Sequence, residues 1–385
     1  MQQSLDPRRS LFSLAAAWAA ALALGLGMAA APALAQEAEG ERLVQEEGAP
    51  PTELQTGFDD LIEVSEVFVD VLATDPEGQV VRGLGIDDFI ALEDGEPVQL
   101  TGVSYYSTQY GDRGAEAGEV PSSRYLVFFL HDQTRFGLYD NRLFRQQLRA
   151  VRDARRWVRE ERLPSDWMAV VSYSSRLQVF QDFTQDGELL EAALQRAAAG
   201  KKPEAYRPDR RGDVGRGRQL EVLSELPAGQ DLKRRTENVY GALETVADAL
   251  GPLVGRKTMI LYTIGFGVER NRSTVPDERY YPQLETALND HNVAVYPVDL
   301  TPAGYNPRNE DFLTRLAEDT GGYYDPNFLG FLRPLRSITA ENVGYYLLTY
   351  RSARPAGEVG YQRFEVRAKD PEIEVRARTG YRYGR

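Results

Sequence analysis

The residues best placed to do chemistry stand in one short stretch, Phe128-Phe129-Leu130-His131-Asp132-Gln133-Thr134-Arg135-Phe136. An apolar run from Tyr125 stops at a carboxylate, and a hydroxyl follows two residues later. Oxygen ligands of this kind suit a hard divalent cation, although a turn or helix cap would use the same side chains. Asp299 closes a second apolar segment and offers another carboxylate. Little else is available. The chain has no cysteine, which removes disulfides, thiolate metal sites and thiol nucleophiles. Its two histidines, His131 and His291, leave few general bases near neutral pH.

The elements that must carry these residues alternate in type. Tyr125–Leu130, Met168–Tyr173, Thr258–Tyr262 and Val293–Val298 are short and apolar on both faces, as buried parallel strands require. Amphipathic stretches lie between them at Leu143–Arg159, Glu188–Ala199, Glu237–Leu250, Gln283–Asn289 and Asp311–Asp319. Strand and helix in that order predict a doubly wound α/β domain with a mostly parallel sheet over residues 123–342. Arg176–Phe180 follows Tyr173 too closely for a crossover helix and is expected as an antiparallel edge strand.

On either side the period falls to two. Val67, Val69, Val71 and Ala73 alternate with polar residues, Asp75-Pro76-Glu77-Gly78 and Glu93-Asp94-Gly95 supply turns, and the pattern returns at Phe364–Ala368 and Ile373–Ala377. Neither flank holds a core by itself. Residues 59–110 and 343–385 are therefore expected to pair into one antiparallel β module into which the α/β domain is inserted.

At 385 residues, 42% hydrophobic and 27% charged, the chain has the composition of a folded protein with two or three domains. Its formal charge of −13 argues against a nucleic-acid partner. Arg8 and Arg9 precede an Ala/Leu-rich run that ends in Ala33-Leu34-Ala35, so residues 1–35 read as a signal peptide of Sec or twin-arginine type. Cleavage there removes two arginines and Asp6, a net +1, and leaves −13 − 1 = −14. An exported protein, periplasmic or secreted and with no membrane span after cleavage, is the expectation; an uncleaved anchor is the alternative. Residues 36–58, rich in Glu and Gln with Pro50-Pro51, read as an acidic flexible linker. Residues 200–235 carry ten Lys/Arg against six Asp/Glu and read as a basic loop insertion, either solvated or a lip for an anionic partner.

The strand order, with a first strand ending in Asp132-Gln133-Thr134, resembles the von Willebrand factor type A (VWA) domain. The flanks "VFVDVLATDPEGQVVRGLGIDDFIALEDGEPVQL" and "YYLLTYRS…FEVRAKDPEIEVRARTGYRY" are similar to those of exported VWA-related proteins of Acidobacteria and relatives. The resemblance implies a metal-ion-dependent adhesion site at the C-terminal end of the sheet, built as Asp-x-Ser-x-Ser, a later Thr and a later Asp. Asp132 matches the first position, Thr134 replaces the first serine, and Thr236 in "RRTENVYGAL" matches the threonine. Phe136 and Ile264 stand where the second serine and the last aspartate belong. With one carboxylate left, the resemblance implies a degenerate site holding Mg²⁺ or Ca²⁺ weakly through Asp132, Thr134 and Thr236. Without a metal, Thr236 is a helix N-cap and Asp132 a cap or turn residue.

Other signals are weaker. Gly251–Thr258 has phosphate-loop glycines one residue short and leads from helix into strand, the wrong order for aiming amides at phosphate. Gly83-Leu84-Gly85 lacks a third glycine, and neither Gly-x-Ser-x-Gly nor His-Glu-x-x-His occurs. The expectation is a non-enzymatic exported protein that binds a protein or cell-envelope ligand through the top of its sheet. The alternatives are a structural scaffold with no metal site and a metal-assisted hydrolase built on Asp132 or Asp299.

Overall fold

The computed structural model describes residues 62–107, 119–121, 123–133, 141–203, 219–271, 273–302, 309–325, 330–355 and 358–384. The expected leader, the acidic linker, Thr134 and Phe136 lie outside them.

The described residues open with β1 (Ile62–Thr74), β2 (Phe89–Glu93), β3 (Glu96–Val98), β4 (Leu100–Ser107) and β5 (Glu119–Pro121). The α/β part follows as β6 (Tyr125–His131), α1 (Asn141–Glu160), β7 (Trp167–Tyr173), β8 (Leu177–Thr184), α2 (Gly187–Ala198), α3 (Gly229–Arg235), α4 (Val239–Ala249) and β9 (Lys257–Thr263). It continues through β10 (Val268–Arg270), β11 (Ser273–Val275), α5 (Tyr281–Asp290), β12 (Val293–Asp299), α6 (Glu310–Asp319) and α7 (Leu332–Glu341). The last strands are β13 (Gly344–Pro355), β14 (Gly360–Ala368), β15 (Glu374–Ala377) and β16 (Gly380–Tyr383).

The central sheet runs β12-β9-β6-β7-β8. β6 lies in the middle, with Phe128 paired to Ile260 on one side and to Val170 on the other, both in parallel register. β8 is antiparallel to β7 and forms the edge, as its short connection requires. Strands apolar on both faces need helices on both. Val127 and Phe129 pack with Leu243 and Val246 of α4, Leu284 and Leu288 of α5, and Phe312 and Leu316 of α6. Leu126, Phe128 and Leu130 turn the other way, onto Ala150, Ala154 and Trp157 of α1, Leu190 and Leu194 of α2, and Leu335 and Ile338 of α7. The result is a doubly wound, mostly parallel α/β sheet of the Rossmann-like class.

The flanks build the antiparallel module. β1 pairs with β13 along ten residues, from Ile62 opposite Pro355 to Val71 opposite Tyr346. One sheet runs β15-β1-β13-β4-β5 and the other β16-β14-β2-β3, and Val69, Val71, Phe89, Ala91, Leu348, Tyr350, Phe364 and Val366 fill the space between them. Strands from both ends of the chain thus share one core.

Part of the basic insertion is folded. Its later residues form a 3-10 turn (Leu223–Glu225) and α3. The anchor is Asp182 on β8, whose carboxylate accepts backbone hydrogen bonds from Phe183, Val222, Leu223 and Ser224 at 2.8 to 3.1 Å.

Candidate functional site at the C-terminal edge of the sheet

Parallel strands bring their C-terminal ends to one edge, where sheets of this class bind ligands. β6 ends there at His131, β7 at Tyr173, β9 at Thr263 and β12 at Asp299. The side chains that meet between these ends are mostly neutral.

His131 is 7% exposed, and its Nδ1 lies 3.0 Å from Thr263 Oγ1. The Phe266 ring meets it edge-on at 5.6 Å, and Tyr173 stands 6.0 Å away on the other side. Burial in this aromatic setting pulls the imidazole pKa down to about 3, so His131 is neutral at pH 7. It is a strand-end core residue. Asp132 is 3% exposed, and its backbone N–H donates to Tyr173 O at 2.7 Å, which carries the β6–β7 ladder one residue further.

Gln133 closes the edge. Its Nε2 donates to Gly265 O at 2.9 Å, and its Oε1 accepts from Ile264 N at 2.9 Å and from Thr263 Oγ1 at 3.3 Å. One amide therefore fixes the loop after β9. Asn309 holds the same loop from the start of α6 by donating to Ile264 O. Gly265 lies between them at φ 86°, and a Cβ there would meet Asn309 Cγ at 2.6 Å. Ile264, in the position the VWA resemblance gives to the last aspartate, is 8% exposed and belongs to the core on the side of the sheet covered by α1, α2 and α7.

Thr236 corrects an expectation. It is not an N-cap: it is the C-cap of α3, with Oγ1 donating to Leu232 O at 2.8 Å and its N–H to the same carbonyl at 2.9 Å. Asn238 caps α4 instead, accepting from Gly241 N at 3.0 Å. The short helix α3 displaces the threonine from the cap, and it lies in the insertion read as a loop. Asp299 keeps both oxygens engaged, with Thr301 N donating at 2.7 Å and Tyr324 OH at 3.4 Å, and burial raises its pKa.

The described members of this donor set do not fit a divalent cation. Asp132 brings one carboxylate, the second matched position is an isoleucine, and the Thr236 hydroxyl is turned onto its own helix. Among the described residues no group of three or more His, Asp or Glu side chains could hold a metal ion. The sequence reading missed Gln133, Thr263, Asn309 and Gly265. The glycines of "TIGFG" were the one local sign of a tight turn there.

No family model matches the sequence, and no curated protein matches it. Solved structures resemble it at low identity. The conserved hypothetical protein BatB of Bacteroides thetaiotaomicron is 14% identical, over 56% of this chain and 98% of that one, with a TM-score of 0.35. VWA2, the ArnB paralog of Sulfolobus acidocaldarius, is 11% identical over 83% and 75%, at 0.30. Proximal thread matrix protein 1 of the mussel byssus, solved with a zinc-occupied MIDAS motif, is 12% identical over 56% and 46%, at 0.33. Likeness at this level concerns fold alone and carries no argument about function.

Proposed function

We propose that the protein is an exported, non-enzymatic VWA-like binding protein that engages a protein or cell-envelope component through the C-terminal edge of its sheet, without recruiting a cation. The observation that supports this reading is the neutral closure of that edge by Gln133, Thr263 and Asn309, with Ile264 in the core where a ligand carboxylate would be needed. A hydrolase would need convergent carboxylates, and Asp299 is already occupied by Thr301 and Tyr324. Export rests on the leader-like residues 1–35. Among the described residues no helix is long and apolar enough to cross a membrane.

Among the described residues, exposed surface at this edge includes the β10–β11 hairpin, which leaves the sheet after β9 and presents Glu269 and Arg270 to solvent. The test has two arms. Calorimetric titration of the full chain with Mg²⁺ and Mn²⁺ is expected to give no saturable heat; saturable binding lost in Asp132→Ala would restore a metal-dependent site and overturn this reading. In the second arm the protein captures its partner from an envelope extract. Capture is expected to be indifferent to chelator and lost in the double variant Glu269→Lys/Arg270→Glu, whereas capture intact in that variant would move the binding surface away from this edge.

A further inference from the structure

Helix α1 carries seven arginines against two carboxylates in a chain whose formal charge is −13. Six of them, Arg142, Arg145, Arg149, Arg152, Arg156 and Arg159, recur at spacings of three and four and are all exposed. Such spacing draws one continuous stripe along the outer face of a helix, here about 25 Å long at 1.5 Å per residue. The inner face, with Ala150, Ala154 and Trp157, is buried in the core.

The two ends of the stripe differ. Toward the C-terminus its charge is answered within the fold: Arg156 pairs with Glu160 at 2.9 Å, Arg152 with Asp153 at 3.3 Å, and Arg159 and Arg155 with Glu191 of α2. Toward the N-terminus Arg145 and Arg149 have no carboxylate within ion-pair distance among the described residues. Phe144 and Leu148, four residues apart and each 40% exposed, flank that half. The first turn of α1 holds no acidic residue. Among the described residues the charges of Arg145 and Arg149 go unanswered inside the fold, which marks a surface kept for something outside it.

We infer that the outer face of α1 is a docking surface for an acidic amphipathic helix of a partner protein. Carboxylates repeated at three- and four-residue spacing on a helix laid alongside would meet the arginine stripe, and the planar guanidinium fork takes carboxylates in pairs. Phe144 and Leu148 supply the apolar anchor that such grooves and seams require. A bilayer surface fits less well, because the apolar face an interfacial helix would insert is here already spent on the core. A polyphosphate would leave the apolar pair Phe144 and Leu148 without a role. The surface is independent of the β10–β11 edge proposed above.

The probe is a synthetic acidic peptide of about three heptads, with Glu at alternating three- and four-residue spacing and a Leu pair on one flank. Binding to the full chain should be measured by anisotropy at rising salt. Salt-weakened binding is expected, reduced by at least about tenfold in Arg145→Glu/Arg149→Glu. Phe144→Ser/Leu148→Ser should also weaken it while leaving its salt dependence in place, and Glu269→Lys/Arg270→Glu should leave binding unchanged. The arginine variant changes two exposed side chains that have no ion-pair partner among the described residues, so its melting temperature is expected to hold, which separates lost docking from lost folding. Absence of peptide binding, equal binding by the arginine variant, or preference for phosphatidylglycerol vesicles or single-stranded RNA over the peptide would each overturn the inference.

Discussion

A histidine beside an aspartate at the end of a strand invites a catalytic reading, and the surroundings of His131 remove it. Its ring is enclosed by Tyr173 and Phe266 and hydrogen-bonded to Thr263, and burial takes its pKa down to about 3. The sign of the linkage follows. Above pH 6.5 the ring is neutral in both the folded and the unfolded chain; between pH 6.5 and about 3 only the unfolded chain takes up a proton. Stability falls as the pH drops through that window, and by pH 5 the contribution lost is about 2 kcal/mol. Urea denaturation of wild type and His131→Gln at pH 7 and pH 5 isolates it. Carboxylates with raised pKa values, such as Asp70, Asp299 and Glu341, are common to both proteins and cancel in the difference. The wild type should lose about 2 kcal/mol more than the variant on acidification; equal losses would mean that His131 does not titrate as described. Its position at an apolar strand end was legible in the sequence. The Thr263 contact was not, because the two residues are 132 apart.

The strands and helices of the α/β part were legible because burial on both faces leaves an unbroken apolar run, and a helix on a sheet leaves a 3.6-residue period. β7 and α2 begin within a residue of where those patterns place them. The insertion was not legible in the same way. Its later half is shaped by Asp182, a carboxylate 40 residues or more away from three of the backbone N–H groups it binds, while its own composition reads as solvated loop. This is why α3 and the true position of Thr236 escaped the sequence. Asp182→Ala would strand those N–H groups and remove a buried acceptor. A loss of about 3 kcal/mol is expected, together with protease cleavage near residues 220–226 in an otherwise folded chain. Limited proteolysis followed by mass mapping checks this. A variant as resistant as wild type would show that the turn is held by packing of Leu223 and not by the carboxylate.

At the scale of the whole molecule the β sandwich meets the α/β part at the N-terminal edge of the parallel sheet, opposite the edge proposed to bind. Arg378, between β15 and β16, donates to Phe68 O on β1 at 2.7 Å and to Asn289 O in the last turn of α5 at 2.6 Å. The Asn289 carbonyl also accepts from Asn292 N at 3.1 Å, so the guanidinium adds a charged donor to the end of α5. Around it Asn292 donates to the buried Asp70, Thr379 Oγ1 donates to Asp319 O at 3.0 Å, Arg382 N donates to Asp290 at 3.0 Å, and Arg376 pairs with Glu341 at 3.1 Å. Burial raises the pKa of Asp70, while the charges of Arg378, Arg256 and Lys257 pull it back, so removing Arg378 also takes a positive neighbour from a buried carboxylate. A junction made of directional polar bonds in a desolvated seam fixes one orientation and couples the unfolding of the two parts. Arg378→Met keeps the apolar stem and deletes the fork. About 3 kcal/mol should be lost, and the single calorimetric transition expected of the wild type should split, with amide exchange accelerating first at the end of α5. Arg378→Lys, which cannot reach both carbonyls, should fall between the two. An unchanged melting temperature in Arg378→Met would place the coupling in the apolar packing of β1 and β13, leaving the polar seam as a consequence of the docked arrangement and not its cause.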